Sequence, residues 1–492
     1  MHRILIANRG EIAVRITRTL QQMGLVACAC YSDPDQHALH VRLADEAYAL
    51  GGTTSLESYL RQDRLLELAR EHKIDAIHPG YGFLSENADF ARRCQQQGLI
   101  FIGPTPDVIE AMGDKLQAKE RLEAAGVPVV PSFAPSAETS AQEYAQQAER
   151  IGYPILVKAA AGGGGKGMRR VDSPDQLRAA LESAANEARK AFGDGRIFLE
   201  KYLDRPRHIE IQILADQHGN IVHLGERECS IQRRYQKIVE EAPSPAVSPE
   251  LRQRMGETAC KAARALGYVN AGTMEFLLDE QGEFYFLEVN TRLQVEHPIT
   301  ECVYDVDLVR LQVEVARGQT LPFSQEQLQP RGWAMECRLY AEDPNHNFMP
   351  SVGDLLVYQP PQGPGIRLDS GVEQGSTITV HYDPMLAKLI TFGHDREEAR
   401  QRMVWALGHF PVLGLRHNLP FLKAVLEHPA FIEGATHTHF LQQHPLETGP
   451  REVPKAALAA LGGWLQQQKP ATAQTAAPSS SPFVELGAWR AR

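Results

Sequence analysis

Residues 272–297 read GTMEFLLDEQGEFYFLEVNTRLQVEH. Two runs rich in aromatic and aliphatic residues, 273–278 and 283–289, flank Asp279-Glu280-Gln281-Gly282, a turn signal, so a β-hairpin is expected. Closing that turn brings Glu275 beside Glu288 on the neighbouring strand. Side chains opposed across such a pair lie roughly 5 Å apart, and like charges there repel. Two carboxylates held so close require a cation, and hard oxygen ligands suit Mg²⁺.

After Glu288 polar residues fall at every second position, Asn290, Arg292, Gln294 and Glu296, with Val289, Leu293 and Val295 filling most of the gaps. A period of two places the polar set on one face. A straight strand from Glu288 to Glu296 would spread that face over roughly 26 Å at ~3.3 Å per residue, too far for one small site. The chain is therefore expected to bend after Asn290, with Arg292 to Glu296 curling over the metal. The bland alternative is the solvated face of an amphipathic strand. Acids, an amide pair and an arginine converging on one hairpin favour a site.

The chain has 492 residues, enough for two to four domains; hydrophobic residues make up 43% and charged residues 23%, an ordinary globular balance. The net charge of −10 argues against a nucleic-acid surface. No run approaches the ~18 apolar residues of a membrane span, and the N-terminus passes from MHR straight into ILIAN without a leader pattern. A cytoplasmic protein is expected. The seven cysteines are scattered and form no C-x-x-C pair, so neither a disulfide framework nor a zinc site is indicated.

From residue 1 to about 113, apolar runs at 4–8, 25–31, 74–79 and 99–103 alternate with helical patterns near 11–23, 58–72 and 86–97, which predicts a doubly wound parallel sheet. The first turn lacks G-x-G-x-x-G, so a dinucleotide site is not supported. HPGYGFLSEN (78–87) follows a strand at its carboxyl end and reads either as a ligand loop or as a structural turn. A helix is expected from Lys115 to about Ala124. In ILVKAAAGGGGKGMRRV (155–171) a strand carrying Lys158 enters consecutive glycines and returns to a strand. Glycines let backbone N–H groups approach phosphate oxygens, so the pattern suggests a lid over a triphosphate with Lys115 and Lys158 as point charges; a plain flexible hairpin is the alternative.

IFLEKYLD (197–204) reads as a strand entering a hinge, with backbone groups free for an adenine edge and Glu200 for a polar group. RHIEIQILAD (207–216) alternates, setting His208, Glu210 and Gln212 against Ile209, Ile211 and Ile213. Arg227, Arg233, Arg234 and Lys237 form a basic run in an acidic chain, either beside an anion site or simply solvated. A helix is expected over 249–266. Strand 333–344 places Glu336 and Arg338 on its polar face, and short strands with helices near 395–407 and 418–427 predict a smaller α+β domain. From about 447 the composition turns to Ala, Gln, Pro and Ser, a linker, before a strand-like FVELGAWRAR.

ANRGEIAVR, HPGYGFLSEN, MGDK, VKAAAGGGGKGMR, EKYL, QRRYQK, EEAP, GTMEFL, LEVNTRLQVEHPITE, AMECR and AEDP occur in one order. By these motifs the chain resembles the biotin carboxylase component of biotin-dependent carboxylases, an ATP-grasp enzyme, from Met1 to about His444. The resemblance implies an α/β and α+β architecture. A Rossmann-like parallel-sheet domain (1–113) precedes an ATP-grasp domain (114–330) with a glycine-rich lid (about 132–203), a C-terminal α+β domain (331–446) and a linker opening a further domain (447–492).

It also implies the roles of individual residues. Lys115, Lys158, Glu200, Lys201, Tyr202, Leu203 and His208 meet ATP, under a lid containing Gly163, Gly164, Gly165 and Met168. Gln232 and Tyr235 belong to the nucleotide site, although many members have His where Tyr235 stands. Glu275, Glu288 and Asn290 match the ligands of Mg²⁺, two ions, with Mn²⁺ as an alternative. Lys237, Arg292, Gln294 and the backbone of Val295 match the bicarbonate site. Glu296 matches the base that deprotonates bicarbonate, Arg338 the cation that steadies the biotin enolate, and Tyr81 and Gly82 positions near the biotin ring.

The implied reaction carboxylates biotin from bicarbonate and ATP through carboxyphosphate. No Met-Lys-Met motif occurs, so biotin is expected on a carrier domain in trans. The β subunit of a carboxyltransferase and a homodimer or αβ assembly are further expected partners. The tail resembles that of acyl-CoA carboxylase α subunits of the methylcrotonyl-, propionyl- and geranyl-CoA types, ending before the carrier. Two other classes share some of these features: an ATP-grasp ligase passing an acyl phosphate to an amine, and a nucleotide-binding module without turnover.

Overall fold

Alternate residues of the first apolar run serve opposite sides of one sheet. Ile4 and Ile6 pack with Ile12, Ile16 and Leu20, while Leu5 packs with Leu65, Leu68 and Phe90. A strand clothed on both faces belongs to a parallel sheet. Here that sheet comprises β1 (Arg3–Ile6), β2 (Val26–Tyr31), β3 (Glu46–Ala49), β4 (Ala76–His78) and β5 (Ile100–Phe101), parallel throughout in the order β3-β2-β1-β4-β5. The helices Gly10–Gln22, Gln62–Glu71 and Ala88–Gln96 lie where the pattern placed them. The edge strand β3 was not anticipated, its EAYA being too short and half polar to stand out.

The computed structural model describes residues 1–446 except 114, 134, 136–138 and 161–167, and beyond them 459–460 and 462–464; the side chains of residues 115, 116, 141 and 192 are also outside the description. The chain divides into Met1–Glu447 and Thr448–Arg492, and the described residues of the second unit are helical. Gly163, Gly164 and Gly165, the Lys115 side chain, and the expected linker and final strand therefore lie outside the described residues. No helix among the described residues is long and apolar enough to cross a membrane.

Four strands form a small antiparallel sheet ordered β6-β9-β7-β8: β6 (Ser132–Phe133), β7 (Ile155–Ala159), β8 (Arg169–Val171) and β9 (Ile197–Lys201). The main sheet has eight strands, in the order β14-β13-β10-β11-β12-β15-β17-β16. These are β10 (Arg207–Ala215), β11 (Ile221–Arg233), β12 (Gln236–Ala242), β13 (Asn270–Leu278), β14 (Phe284–Asn290), β15 (Trp333–Tyr340), β16 (Ile366–Ser370) and β17 (Met385–Gly393). Ile209, Ile211 and Ile213 turn to the helix Pro249–Leu266, packing with Met255, Ala259 and Ala263. That helix starts where Ser248 Oγ accepts from the Leu251 N–H at 3.2 Å, and ends at Gly267 with φ +64°.

The hairpin β13–β14 forms as expected, β14 ends at Asn290, and irregular chain leads to the helix His297–Tyr304. The bend thus falls where the spacing required it. The α+β part beyond Gly318 is built onto the same sheet, because β15 pairs with β12 through Val239 and Cys337.

Candidate active site

Register lines up charge across the main sheet. Glu210 on β10 is opposite Arg227 on β11 and Glu275 on β13, and Glu275 is opposite Glu288 on β14. On the other half, Glu240 on β12 faces Glu336 on β15, while Arg338 on β15 faces Lys388 on β17. Except for Glu288, which is half-buried, these residues are buried, and a buried ion persists only when paired and hydrogen-bonded.

Lys237 supplies that pairing at the centre. Its ammonium lies 2.5 Å from Glu210 Oε2, 2.8 Å from Glu275 Oε1 and 2.7 Å from Glu296 Oε1. Burial alone would drive its pKa down, but the three carboxylates outweigh burial and hold it well above the usual lysine range. The second oxygen of Glu296 accepts from Arg338 Nη2 at 3.0 Å, and Arg338 Nε donates to Glu240 Oε1 at 2.6 Å. Burial pushes the Glu296 carboxyl up; Lys237, Arg338 and Arg227 overcome it and hold the group well below the carboxylate range, hence ionised at neutral pH. Burial pushes Glu240 up to about 7 against the pull of Arg338.

Among the described residues neither oxygen of Glu336 has a hydrogen-bond partner, and burial raises its pKa well above the ordinary value.

Glu275 is the second hub. It accepts from His208 Nε2 at 2.7 Å, from Asn290 Nδ2 at 2.7 Å and from Gln294 Nε2 at 3.2 Å. Burial raises its pKa, yet Lys237 and His208 dominate and leave it below the usual range. Gln232 Nε2 donates to His208 Nδ1 at 2.6 Å, which fixes the ring so that Nε2 faces Glu275. Arg292 joins the cluster from the bent segment, donating to Gln294 Oε1 at 3.0 Å and Asn290 Oδ1 at 3.2 Å, and from Nε to Glu86 Oε2 at 3.0 Å. Glu275 and Glu288 are paired across the hairpin, and Asn290, at the end of β14, turns its amide nitrogen to Glu275; two carboxylates and an amide are the kind of donor set that suits Mg²⁺. His208, Glu210 and Glu275 also bring ligand atoms within 4.8 Å of one another.

A second charged group joins the small sheet to the helix Lys115–Ala124. Glu200 on β9 accepts from Lys158 Nζ on β7 at 2.6 Å and from Lys119 Nζ at 2.9 Å. Lys201 Nζ donates to the Gly152 carbonyl at 2.7 Å. The Tyr202 ring stacks on His439, centroids 6.1 Å apart, with Arg170 4.3 Å above it. Leu203 and Met168 are half-buried beside these elements. Burial pushes the Glu200 carboxyl up, and the two lysines bring it below its ordinary value of 4.5.

A carboxyl with a folded pKa below its unfolded one stabilises the protein above the unfolded pKa, and that contribution fades as pH falls through the folded pKa. Glu200→Gln is expected to cost about 3–5 kcal/mol at pH 7, because two ammoniums lose their partner. It should also flatten the loss of stability below pH 4.5, read by chemical denaturation across pH.

Other candidates fall at the rim. Tyr81 donates its hydroxyl to Glu11, and its carbonyl accepts from Asn8 Nδ2 at 2.7 Å. Gly82 is exposed at φ +66°. A side chain at Gly80 would strike Asn8 Nδ2 at 2.9 Å, so glycine is required for that loop to close on Asn8. The Val295 carbonyl accepts from Lys388 Nζ at 2.7 Å. Tyr235 is set apart: it occupies the β11–β12 turn at φ +67°, 60% exposed.

Sequence reasoning missed Glu86, Lys119, Glu240 and Lys388 as members of these networks. Lys119 stands four residues after Lys115 on one helix, and Glu86 lies within HPGYGFLSEN, so both carried a readable signal.

Residues 1–109 match the family described as biotin carboxylase, N-terminal domain; 114–324 match carbamoyl-phosphate synthase L chain, ATP binding domain; and 336–443 match biotin carboxylase C-terminal domain. A pyruvate carboxylase subunit from Methanothermobacter thermautotrophicus is 51% identical over 442 residues, 90% of each chain. Biotin carboxylase 2 of Bacillus subtilis is 50% identical over 442 residues, 90% of this chain and 99% of that one. The methylcrotonoyl-CoA carboxylase α subunit of Mus musculus is 48% identical over 443 residues, and the chain spans 62% of its length. Among solved structures, the biotin carboxylase domain dimer of Hydrogenobacter thermophilus 2-oxoglutarate carboxylase, bound to MgADP, ADP and bicarbonate, superposes with a TM-score of 0.85 at 46% identity. That match covers 90% of this chain and 97% of that one. The chain belongs to the biotin carboxylase family, ATP-grasp ligases that carboxylate biotin with ATP and bicarbonate.

Proposed function

We propose that the two charged groups divide the reaction between them. Lys158, Glu200, Lys201, Tyr202, Leu203 and His208 hold the nucleotide, with Lys115 and the glycine loop over its phosphates. Glu275, Glu288 and Asn290 hold Mg²⁺, which when bound neutralises charge on the phosphate oxygens. Lys237, Arg292, Gln294 and Val295 hold bicarbonate. Glu296 takes its proton as the bicarbonate oxygen attacks the γ-phosphorus and ADP leaves, giving carboxyphosphate. This anhydride falls to CO₂ and phosphate, and the phosphate removes the ureido proton of biotin, so that the enolate oxygen rests against Arg338 and the nitrogen attacks CO₂.

One observation carries the reading. Lys237 bridges Glu275 on the metal side to Glu296, while Arg338 holds the other oxygen of Glu296. Against the effect of burial, Lys237, Arg338 and Arg227 draw the Glu296 carboxyl down, which keeps it deprotonated. Bicarbonate arriving there shares Lys237, and the carboxylate regains basicity as its cations turn to the substrate.

Biotin is proposed to arrive on a carrier domain, and a carboxyltransferase in the same dimeric or αβ assembly to choose the acceptor. Relatives named for pyruvate and for methylcrotonoyl-CoA are similarly close to this chain, in keeping with an acceptor chosen elsewhere.

Phosphate release tests the reading: with ATP and Mg²⁺ it should require bicarbonate and rise with free biotin. Turnover driven by another carboxylic acid, or none at all, would point instead to the acyl-phosphate ligase or the silent module. Chelation should stop the reaction, and Glu288→Gln should raise the Mg²⁺ concentration for half-maximal rate by about tenfold, the loss expected for one ligand interaction of ~1.4 kcal/mol. A metal dependence unchanged in that variant removes Glu288 from the ligand set.

A further inference from the structure

Lys388 sits within β17, in MLAKLITFG, with no exposed surface. An ammonium in an apolar strand is costly unless its donors are used. Its Nζ donates to the Val295 carbonyl at 2.7 Å and lies 3.3 Å from Glu11 Oε2 and 3.9 Å from Asp369 Oδ2. Glu11, in the first turn of the helix Gly10–Gln22, takes the Tyr81 hydroxyl on its other oxygen. The end of the neighbouring strand β16 is pressed directly on this helix start: a side chain at Gly371 would meet the Glu11 nitrogen at 2.5 Å. A buried chain of contacts therefore runs from the peptide preceding Glu296, through Lys388 and Glu11, to Tyr81.

Fixing the Val295 carbonyl fixes the plane of the 295–296 peptide, from which the Glu296 side chain departs and the helix His297–Tyr304 begins. Holding Glu11 in turn holds Tyr81, whose loop is also tied to Asn8. We propose that Lys388 is a positioning residue that locks the bicarbonate segment at Val295 and Glu296 to the biotin-side loop at Tyr81. This rests on the assignment of those two places to bicarbonate and biotin. Lys388 touches neither substrate; it sets the spacing between the groups that do.

The test uses the full chain carrying Lys388→Met, with KM measured separately for bicarbonate (phosphate release without biotin), free biotin and MgATP. Loss of one charge-assisted hydrogen bond should raise the bicarbonate and biotin KM values by about tenfold each and leave the MgATP KM unchanged. Glu11→Gln, which leaves Lys388 on Val295, should raise only the biotin KM.

In a double-mutant cycle, Tyr81→Phe should add nothing to the biotin kcat/KM defect of Lys388→Met. Should Lys388→Met not fold, the same cycle between Glu11→Gln and Tyr81→Phe decides. Additive effects in either cycle overturn the proposal. So does a bicarbonate KM unmoved by Lys388→Met while Arg292→Ala raises it, or a uniform rise of all three KM values. If Arg292→Ala also leaves the bicarbonate KM unmoved, the underlying assignment fails, and the coupling with it.

Discussion

Glu296→Ala is expected to abolish bicarbonate-dependent cleavage of ATP while nucleotide binding stays at the wild-type level. A positioned general base contributes about 10²–10⁴ in rate, so kcat for phosphate release should fall by that factor. The nucleotide side is insulated, because Glu200 keeps Lys158 and Lys119 whatever happens at Glu296. Lys237 would retain Glu210 and Glu275, and Arg338 would retain Glu240, so no cation is stranded and the fold should persist. Glu296→Gln sharpens the experiment: it keeps the shape and the contact to Arg338 but accepts no proton. A glutamine variant of near wild-type rate would dismiss the base assignment. Equal loss of ATP binding and turnover in the alanine variant would instead make Glu296 a structural support.

Arg338→Lys is expected to separate the two halves of the reaction. The guanidinium uses Nε on Glu240 and Nη2 on Glu296, a fork that one ammonium does not span. Formation of carboxybiotin should fall by about 10²–10³, the range for losing one donor to a developing oxyanion. Phosphate release driven by bicarbonate without biotin should stay within about one order of magnitude of wild type, since Lys237 still holds Glu296. Carboxybiotin is read by trapping labelled carbonate, and phosphate in a parallel assay. Parallel decline of the two activities would show that Arg338 serves bicarbonate through Glu296 and has no separate part in enolate stabilisation.

Much of this arrangement was legible because strands write their faces into alternate positions. His208, Glu210 and Gln212 declared a polar face, and Glu275, Glu288 and the spacing to Glu296 declared a hairpin followed by a bend. What stayed hidden depends on pairing between distant segments. Nothing local in QKIVEEA announces that Glu240 will lie against Glu336, almost a hundred residues later, or that β15 will extend a sheet begun before it. Arg227 was visible as a positive charge; that it would vanish wholly into bonds with Glu210, Gln212, Thr273 and Thr300 required the register of three strands. Lys388 carried the signal that marked Lys158, a lone lysine in an apolar strand, but no glycine run beside it suggested a partner. Tyr235 shows the converse, since a motif position proved to be the solvent-facing apex of a turn.

Lys237 and Arg338 stand on neighbouring strands of one sheet, β12 and β15, and each holds one oxygen of Glu296. Neighbouring strands run about 4.8 Å apart. With bicarbonate at the first and biotin at the second, as proposed, the one-carbon group would have about one strand spacing to cross.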